Sequence, residues 1–343
     1  MLSDAEKSAR IYAGLKGFSK QKIDNILKHY GSFNNFYDSN RELTLDKNYV
    51  DFRSITTKNN YISYGDSDYP QLLSETLYPP LIMFYIGNVK LLKEKKLISI
   101  VGTRKCTAYG VEVTKKIVEN LSRHNTTFVS GMAMGIDTVV HENAIKNGAK
   151  TIAVLPSPLD NPAPRTNYIL FKEICKKGLV VSEMPTELGW GKFIYAKRNR
   201  IIAGLSETTI VTEAPRKSGA IITANLAFEY NRNVYAVPGN INSYTSAGAN
   251  ILIKQNKAEL LADIDELSPT QSRIMLSSRG LNFSNNQDKE IFKLLTAQAM
   301  SFDELLIFLD IKPDNLRNAL FELELSGEIC LNEFGQYNMK SQK

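Results

Sequence analysis

Six short runs of apolar, largely β-branched residues recur through the middle of the chain: KLISIVG (96–102), TTFVSG (126–131), TIAVLP (151–156), LVVSE (179–183), TTIVTEA (208–214) and VYAVPG (234–239). Continuous apolarity without polar alternation predicts strands buried on both faces of a parallel sheet. Between them lie stretches of helical period, such as YGVEVTKKIVENLSRH (109–124) and GIDTVVHENAIKNG (135–148). Strand and helix in alternation require right-handed βαβ crossovers, so the middle of the chain is expected to form a doubly wound, mainly parallel α/β sheet.

The flanks follow a different pattern. Near the amino end, Ile23, Ile26 and Leu27 repeat at helical spacing, and Gly14, Gly17 and Gly31 punctuate the turns. A small helical domain over 1–60 is expected, its GLKGFSKQKIDNIL segment resembling a helix-hairpin-helix or SAM-like unit and read here as structural. The sheet core is assigned to 61–267. A polar stretch over 268–286 reads as a linker, and 287–340 reads as three helices and a hairpin around 333–336, an order that looks like a winged helix. Its third helix, expected over 314–325, carries Asp314, Glu322 and Glu324 against Arg317 alone. A protein contact or a spacer role therefore suits that tail at least as well as duplex reading.

Composition narrows the functional classes. The 343 residues are 43% hydrophobic and 23% charged, as in globular domains. The apolar run LIMFYIG (81–87) is far too short to span a bilayer, and MLSDAEKSAR lacks a signal-peptide core, so a cytoplasmic location without membrane attachment is expected. Cys106, Cys175 and Cys330 lie far apart without CxxC spacing, which suggests reduced thiols and neither a zinc site nor a disulfide framework. Net charge is +6; residues 61–267 hold 24 Lys/Arg and 19 Asp/Glu, whereas 268–343 hold 8 and 10. A positive balance concentrated in the sheet core favours a polyanionic partner.

The cations fall where such a partner would be met. GTRKCTAYG follows the first central strand, placing Gly102, Thr103, Arg104 and Lys105 at the carboxyl end of a sheet strand, where open α/β sheets take ligands. This loop is neither GxGxxG nor GxxxxGK[ST], which removes most support for a nicotinamide or ATP enzyme. SGMAMGID places Ser130 and Gly131 at a second strand end, and EAPRKSGAIITA places Ser218 and Gly219 at a third. The segment FIYAKRNRIIAGLS adds Lys197, Arg198, Asn199 and Arg200. Helix N-termini and cations converging on one crevice make an anion receptor. Phe193 and Tyr195 are candidates for base stacking, or equally for packing. Asp137 and His141, four apart on one helix, are read as a capping carboxylate and a hydrogen-bonded histidine, because no nucleophile accompanies them; no catalytic residue, metal ligand or cofactor is assigned.

Taken in order, IVGTRKCTAYG, VSGMAMGIDTVVH, TIAVLPSPLD, SEMP, KRNRIIAGLS, VTEAPRKSGAIITA, VYAVPGNI and GANILI closely resemble the DNA-processing protein A family (DprA, also called Smf). The resemblance implies an extended Rossmann-like core that binds single-stranded DNA, protects incoming strands in natural transformation or recombination, helps load RecA recombinase and forms a homodimer. It places phosphates against Gly102, Thr103, Arg104, Lys105, Ser130, Gly131, Lys197, Arg198, Asn199, Arg200, Ser218 and Gly219. The chain departs from the family pattern at Pro156, Ser157, Pro158, Ala163 and Val140.

The competing reading is a nucleotide-processing phosphoribohydrolase-like enzyme on a related fold. Those enzymes carry PGGxGT followed by a catalytic Glu. Here EAPRKSGAIITA stands in place of that block, without its glycine pair.

Overall fold

The fold was analysed in a computed structural model that describes residues 2–40, 60–185 and 193–267 and, in the tail, 291, 294–295, 299–309, 311–325, 329–332 and 335–339, the side chains of Phe193, Leu325 and Met339 excepted. The expected linker over 268–286 lies outside the described residues. The chain divides into two compact units, 1–272 and 273–343.

The first unit is built on nine strands: β1 (Asn60–Ser63), β2 (Ile82–Gly87), β3 (Leu97–Val101), β4 (Thr127–Ser130), β5 (Lys150–Leu155), β6 (Leu179–Ser182), β7 (Thr208–Val211), β8 (Asn233–Ala236) and β9 (Glu259–Leu260). Their order is β1-β2-β6-β5-β4-β3-β7-β8-β9. All pairs from β6 to β9 are parallel. β1 and β2 add an antiparallel edge. Neighbouring positions along a strand belong to different apolar clusters: Leu97, Val101, Val129 and Val211 to one, Ile98, Ile100, Phe128 and Ile210 to the other. Side chains alternate across a strand, so this partition means that both faces of the sheet are covered.

Helices α1 (Asp4–Lys16), α2 (Lys20–Tyr30), α3 (Phe33–Ser39) and α4 (Gln71–Ser74) precede the central strands. They are followed by α5 (Ala108–Ser122), α6 (Ile136–Lys146), α7 (Tyr168–Lys177), α8 (Phe193–Leu205), α9 (Gly219–Glu229) and α10 (Ala247–Lys254). Ile117, Val118 and Leu121 of α5 and Ile136, Val140 and Ala144 of α6 close one face. Ile201, Ile202 and Leu205 of α8 and Ala220, Ala224 and Ala227 of α9 belong to the other cluster, which also takes in Ala9, Ile11 and Tyr12 of α1 and Phe33 of α3. The helical segment is thus continuous with the sheet's core. Its hairpin spends its N–H groups within the protein: Phe18 donates to Ala13 O (3.4 Å) and Lys20 to Leu77 O (2.8 Å). Arg10 completes the attachment, donating to Glu6 (2.7 Å), Ser63 Oγ (2.6 Å) and Tyr64 O (2.7 Å).

The second unit contains α11 (Phe302–Leu309), α12 (Pro313–Leu325) and the strands β10 (Met300–Ser301), β11 (Ile329–Leu331) and β12 (Gln336–Met339), ordered β10-β12-β11. Its apolar cluster includes Ile291, Leu295, Leu305, Leu316, Leu320 and Ile329. β11 and β12 pair antiparallel on either side of the expected turn, of which Glu333 and Phe334 lie outside the described residues.

His141 on α6 shows how completely the sheet faces are sealed. Its Nδ1 lies 2.7 Å from Thr151 Oγ1, whose hydroxyl is given to Phe128 O at 3.1 Å, which makes the imidazole the donor. Burial, reinforced by the Arg198 guanidinium, pushes His141 down to about 3 from the ordinary 6.5. Between those values the unfolded chain takes up a proton that the folded one refuses. Stability is therefore full above pH 6.5 and is lost as pH falls toward 3, by at most about 1.4 kcal/mol per pH unit from this group. Unfolding free energies measured from pH 7 to pH 4 should show a shallower slope for His141→Gln than for the parent; equal slopes would mean that His141 does not govern the loss.

Candidate nucleic-acid interface

The sheet reverses its winding between β3 and β7, which leave the centre in opposite directions, and a crevice opens beyond their carboxyl ends. Ligands bind at such switch points because adjacent loops diverge there. The cavity measures about 390 Å³ and is lined by the loop after β3, by α8 and by the start of α9.

The β3 loop is held from below. Thr103 N donates to Glu213 O (2.6 Å), Ile136 N donates to Thr103 O (3.2 Å), and Thr103 Oγ1 accepts from Lys105 N (3.2 Å). A side chain on Gly135, at φ +84°, would strike the backbone of Thr103 and Arg104, so only glycine lets α6 start this close. Glu213 is buried and its carboxylate accepts from Thr107 N (2.9 Å), Thr107 Oγ1 (2.9 Å) and Thr245 Oγ1 (2.5 Å). It fastens the β3 loop to the 239–246 loop through three accepted hydrogen bonds, a structural duty.

Arg198 forms the floor. Its Nη1 donates to Gly131 O (2.7 Å) and to Val154 O at the carboxyl ends of β4 and β5, and its Nε donates to Asn199 Oδ1 (3.1 Å). Asn199 Nδ2 continues to Gly219 O (3.1 Å) at the start of α9. Any side chain on Gly131 would collide with the guanidinium. Burial lowers Arg198 to about 10, with the Asp137 charge opposing that shift, so the guanidinium is charged at neutral pH. Burial pushes Asp137 up, against the Arg198 charge and the donors around it. The Asp137 carboxylate accepts from Gly131 N (3.2 Å) and Ala133 N (3.3 Å), pinning the β4 loop ahead of α6. Asp137 and His141 therefore each serve packing and loop geometry.

The structure divides the expected residues into groups. Gly102, Thr103, Arg104, Tyr195, Arg198, Asn199, Ser218 and Gly219 line the crevice. Lys105 is exposed one residue beyond it. Ser130 is buried and donates to Ile100 O (2.8 Å), while Gly131 lies beneath Arg198. Lys197 and Arg200 are engaged elsewhere: Lys197 Nζ caps the end of α1 at Gly14 O (2.7 Å), and Arg200 Nη2 is bound to both Glu183 oxygens (2.5 and 2.6 Å). The Phe193 side chain lies outside the described residues. The Tyr195 ring is covered by the Arg104 guanidinium, 5.0 Å from its centroid.

Arg216 and Lys217, cations of the same strand-end loops, are exposed as well, and Lys217 lines the crevice. Their signal in the sequence is the PRKSG run directly before a helix start. Arg104, Lys105, Arg216 and Lys217 have no ion-pair partner among the described residues, in contrast to the buried Arg200. Ser218 caps α9 by accepting from Ala220 N (3.2 Å), so the positive end of that helix faces the same space. No group of three or more His, Cys, Asp or Glu residues able to hold a metal occurs among the described residues. No helix among them is long and apolar enough to cross a membrane. Exposed cations, a buried cationic floor and a helix N-terminus can together hold phosphate oxygens.

Several known proteins are similar to this chain. Protein Smf of Synechocystis sp. is 35% identical over 286 residues, covering 82% of this chain and 68% of that protein. The DNA processing protein DprA of Streptococcus pneumoniae is 40% identical over 203 residues, 59% of this chain and 71% of that protein. The X-ray structure of Streptococcus pneumoniae DprA superposes with a TM-score of 0.65 at 33% identity, covering 77% of this chain and 96% of that one. A structure of DNA processing protein A from Helicobacter pylori, concerned with its single-stranded DNA binding mode, gives 0.57 at 28% identity and covers 63% and 98%. With residues 60–271, the whole sheet and its strand-end loops, matching the family model, the chain belongs to the DNA recombination-mediator protein A family.

Proposed function

We propose that this chain binds single-stranded DNA without chemically altering it, holds the strand's phosphates at the β3–β7 crevice, and mediates recombination by protecting the strand and helping to load RecA recombinase. The observation that carries this reading is the set of four exposed cations, Arg104, Lys105, Arg216 and Lys217, at the two strand ends flanking the switch point. Arg104, Lys105, Arg216 and Lys217 touch phosphate; Arg198, Lys197 and Arg200 position the elements around them. The Helicobacter pylori relative, whose structure concerns single-stranded DNA binding, supports the same ligand.

A hydrolase reading finds no comparable support. Glu213, the carboxylate just after β7, is already the acceptor of three hydrogen bonds from Thr107 and Thr245. Release of free base from nucleoside monophosphates should be absent.

Two measurements test the proposal. Arg104→Ala and Lys217→Ala should each weaken binding of an oligothymidylate by about five- to thirtyfold, the loss of one charge-assisted contact. Lys116→Ala should change nothing, since Lys116 is paired with Glu112 (2.7 Å) on the outside of α5. Unaltered affinity in both crevice variants would remove the site.

Assembly follows from the size of the crevice, which covers only a few nucleotides. A symmetric dimer supplies two crevices to one strand and raises effective concentration without new contacts. Light scattering should show the full chain as a dimer, with affinity rising once oligonucleotides are long enough to bridge both copies. A monomer at micromolar concentration, with affinity saturating on the shortest strands, would contradict this.

A further inference from the structure

Beyond the phosphate crevice, the loop after β8 carries two of the most exposed apolar side chains of the first unit: Ile241 is 88% and Tyr244 75% exposed. Tyr109, at the start of α5, is 45% exposed. Exposed apolar groups that cluster on neighbouring loops can mark a contact surface, and here the backbone beneath them is set. Ser243 N donates to Asn240 O (2.9 Å) and Asn242 N to Asn240 Oδ1 (2.9 Å), while Asn250 brackets Gly239 through Oδ1 (3.1 Å) and Nδ2 (2.9 Å). Tyr109 is clamped at one end, its hydroxyl donating to Pro238 O (2.8 Å).

The same loops are joined to the crevice. Glu213 accepts from Thr107, two residues before Tyr109, and from Thr245, one residue after Tyr244. The chain then runs from Glu213 through the exposed Arg216 to Lys217 on the crevice rim. Aromatic faces on fixed loops beside a cationic track are the two components of sequence-tolerant single-strand recognition.

Resting on the single-stranded DNA reading above, we infer that Tyr244, with Ile241 and Tyr109, forms a platform on which bases stack while the neighbouring crevice holds the strand's phosphates. The bases emerge on the β8 side of the crevice. Tyr195, whose ring is occupied by Arg104, has the lesser part in stacking.

The test compares two strands of equal length and charge, an oligothymidylate and its abasic counterpart, bound to the full chain and to Tyr244→Ala with Ile241→Ser. The stacking of one base is lost on substitution, so affinity for the oligothymidylate should fall by about five- to a hundredfold, with less than about a twofold change on the abasic strand. Tyr244→Phe should restore the parent affinity, and quenching of 2-aminopurine placed in the strand should vanish only in the double variant. Unchanged oligothymidylate affinity, or an equal loss on both strands, overturns the platform while leaving phosphate binding in place. A change of oligomeric state by light scattering that accounts for the loss assigns these side chains to contact between copies and equally overturns it. Failure of the parent chain to bind either strand defeats the single-stranded DNA reading itself.

Discussion

The buried guanidinium of Arg198 is the constraint on which the arrangement of this site depends. A parallel sheet ends in a row of carbonyl oxygens that no further strand satisfies, and Arg198 supplies donors to two of them, Gly131 O and Val154 O. Taking an arginine out of water is unfavourable by several kcal/mol unless its donors are matched, and charge-assisted bonds to carbonyls offset that penalty. Once Arg198 is fixed, α8 has one orientation. Tyr195 and Asn199 then border the crevice, and Lys197 and Arg200 point to Gly14 and Glu183 on the side of the helical segment. One helix thereby sets both one wall of the crevice and the docking of α1.

Cations in this chain divide into two kinds that a charge count does not separate. Arg10, Arg198 and Arg200 are buried and donate to carbonyls or carboxylates, Arg200 through Nη2 alone, and they specify geometry. Arg104, Lys105, Arg216 and Lys217 stand in solvent at strand ends, and they retain the donors that a phosphate needs. The difference arises from position: a residue on the inner side of α8 is enclosed by the sheet, whereas a residue in a strand-to-helix loop projects past it.

Much of the fold was legible in the sequence because its central strands are buried on both faces. LISIV, TFVS and TTIV leave no polar alternation to confuse with a surface strand, and each is found within a residue or a few of its expected limits. The antiparallel edge was not legible. IMFYIG of β2 is apolar enough for a strand, but it has no helical crossover beside it to announce a sheet. In the site, glycines and exposed cations beside strand ends carried the signal for Gly102 to Arg104 and for Ser218 and Gly219. The separation of Arg198 from Lys197 and Arg200 carried none, because all belong to one basic run, and only the packing of α8 decides which carbonyl each one meets. The sequence likewise pairs the strand-end Glu213 with a nearby arginine, whereas its carboxylate accepts three hydrogen bonds from Thr107 and Thr245.

We propose that exposed cations at the switch point, held in place by the buried ones, bind the phosphates of a single strand. The salt dependence of oligothymidylate affinity for the full chain tests it most directly. With three or four phosphate contacts at roughly 0.7 each, a plot of log affinity against log salt should be linear with a slope of about −2 to −3. A slope near zero at measurable affinity would show that the strand is held without phosphate neutralisation, and the account would be wrong.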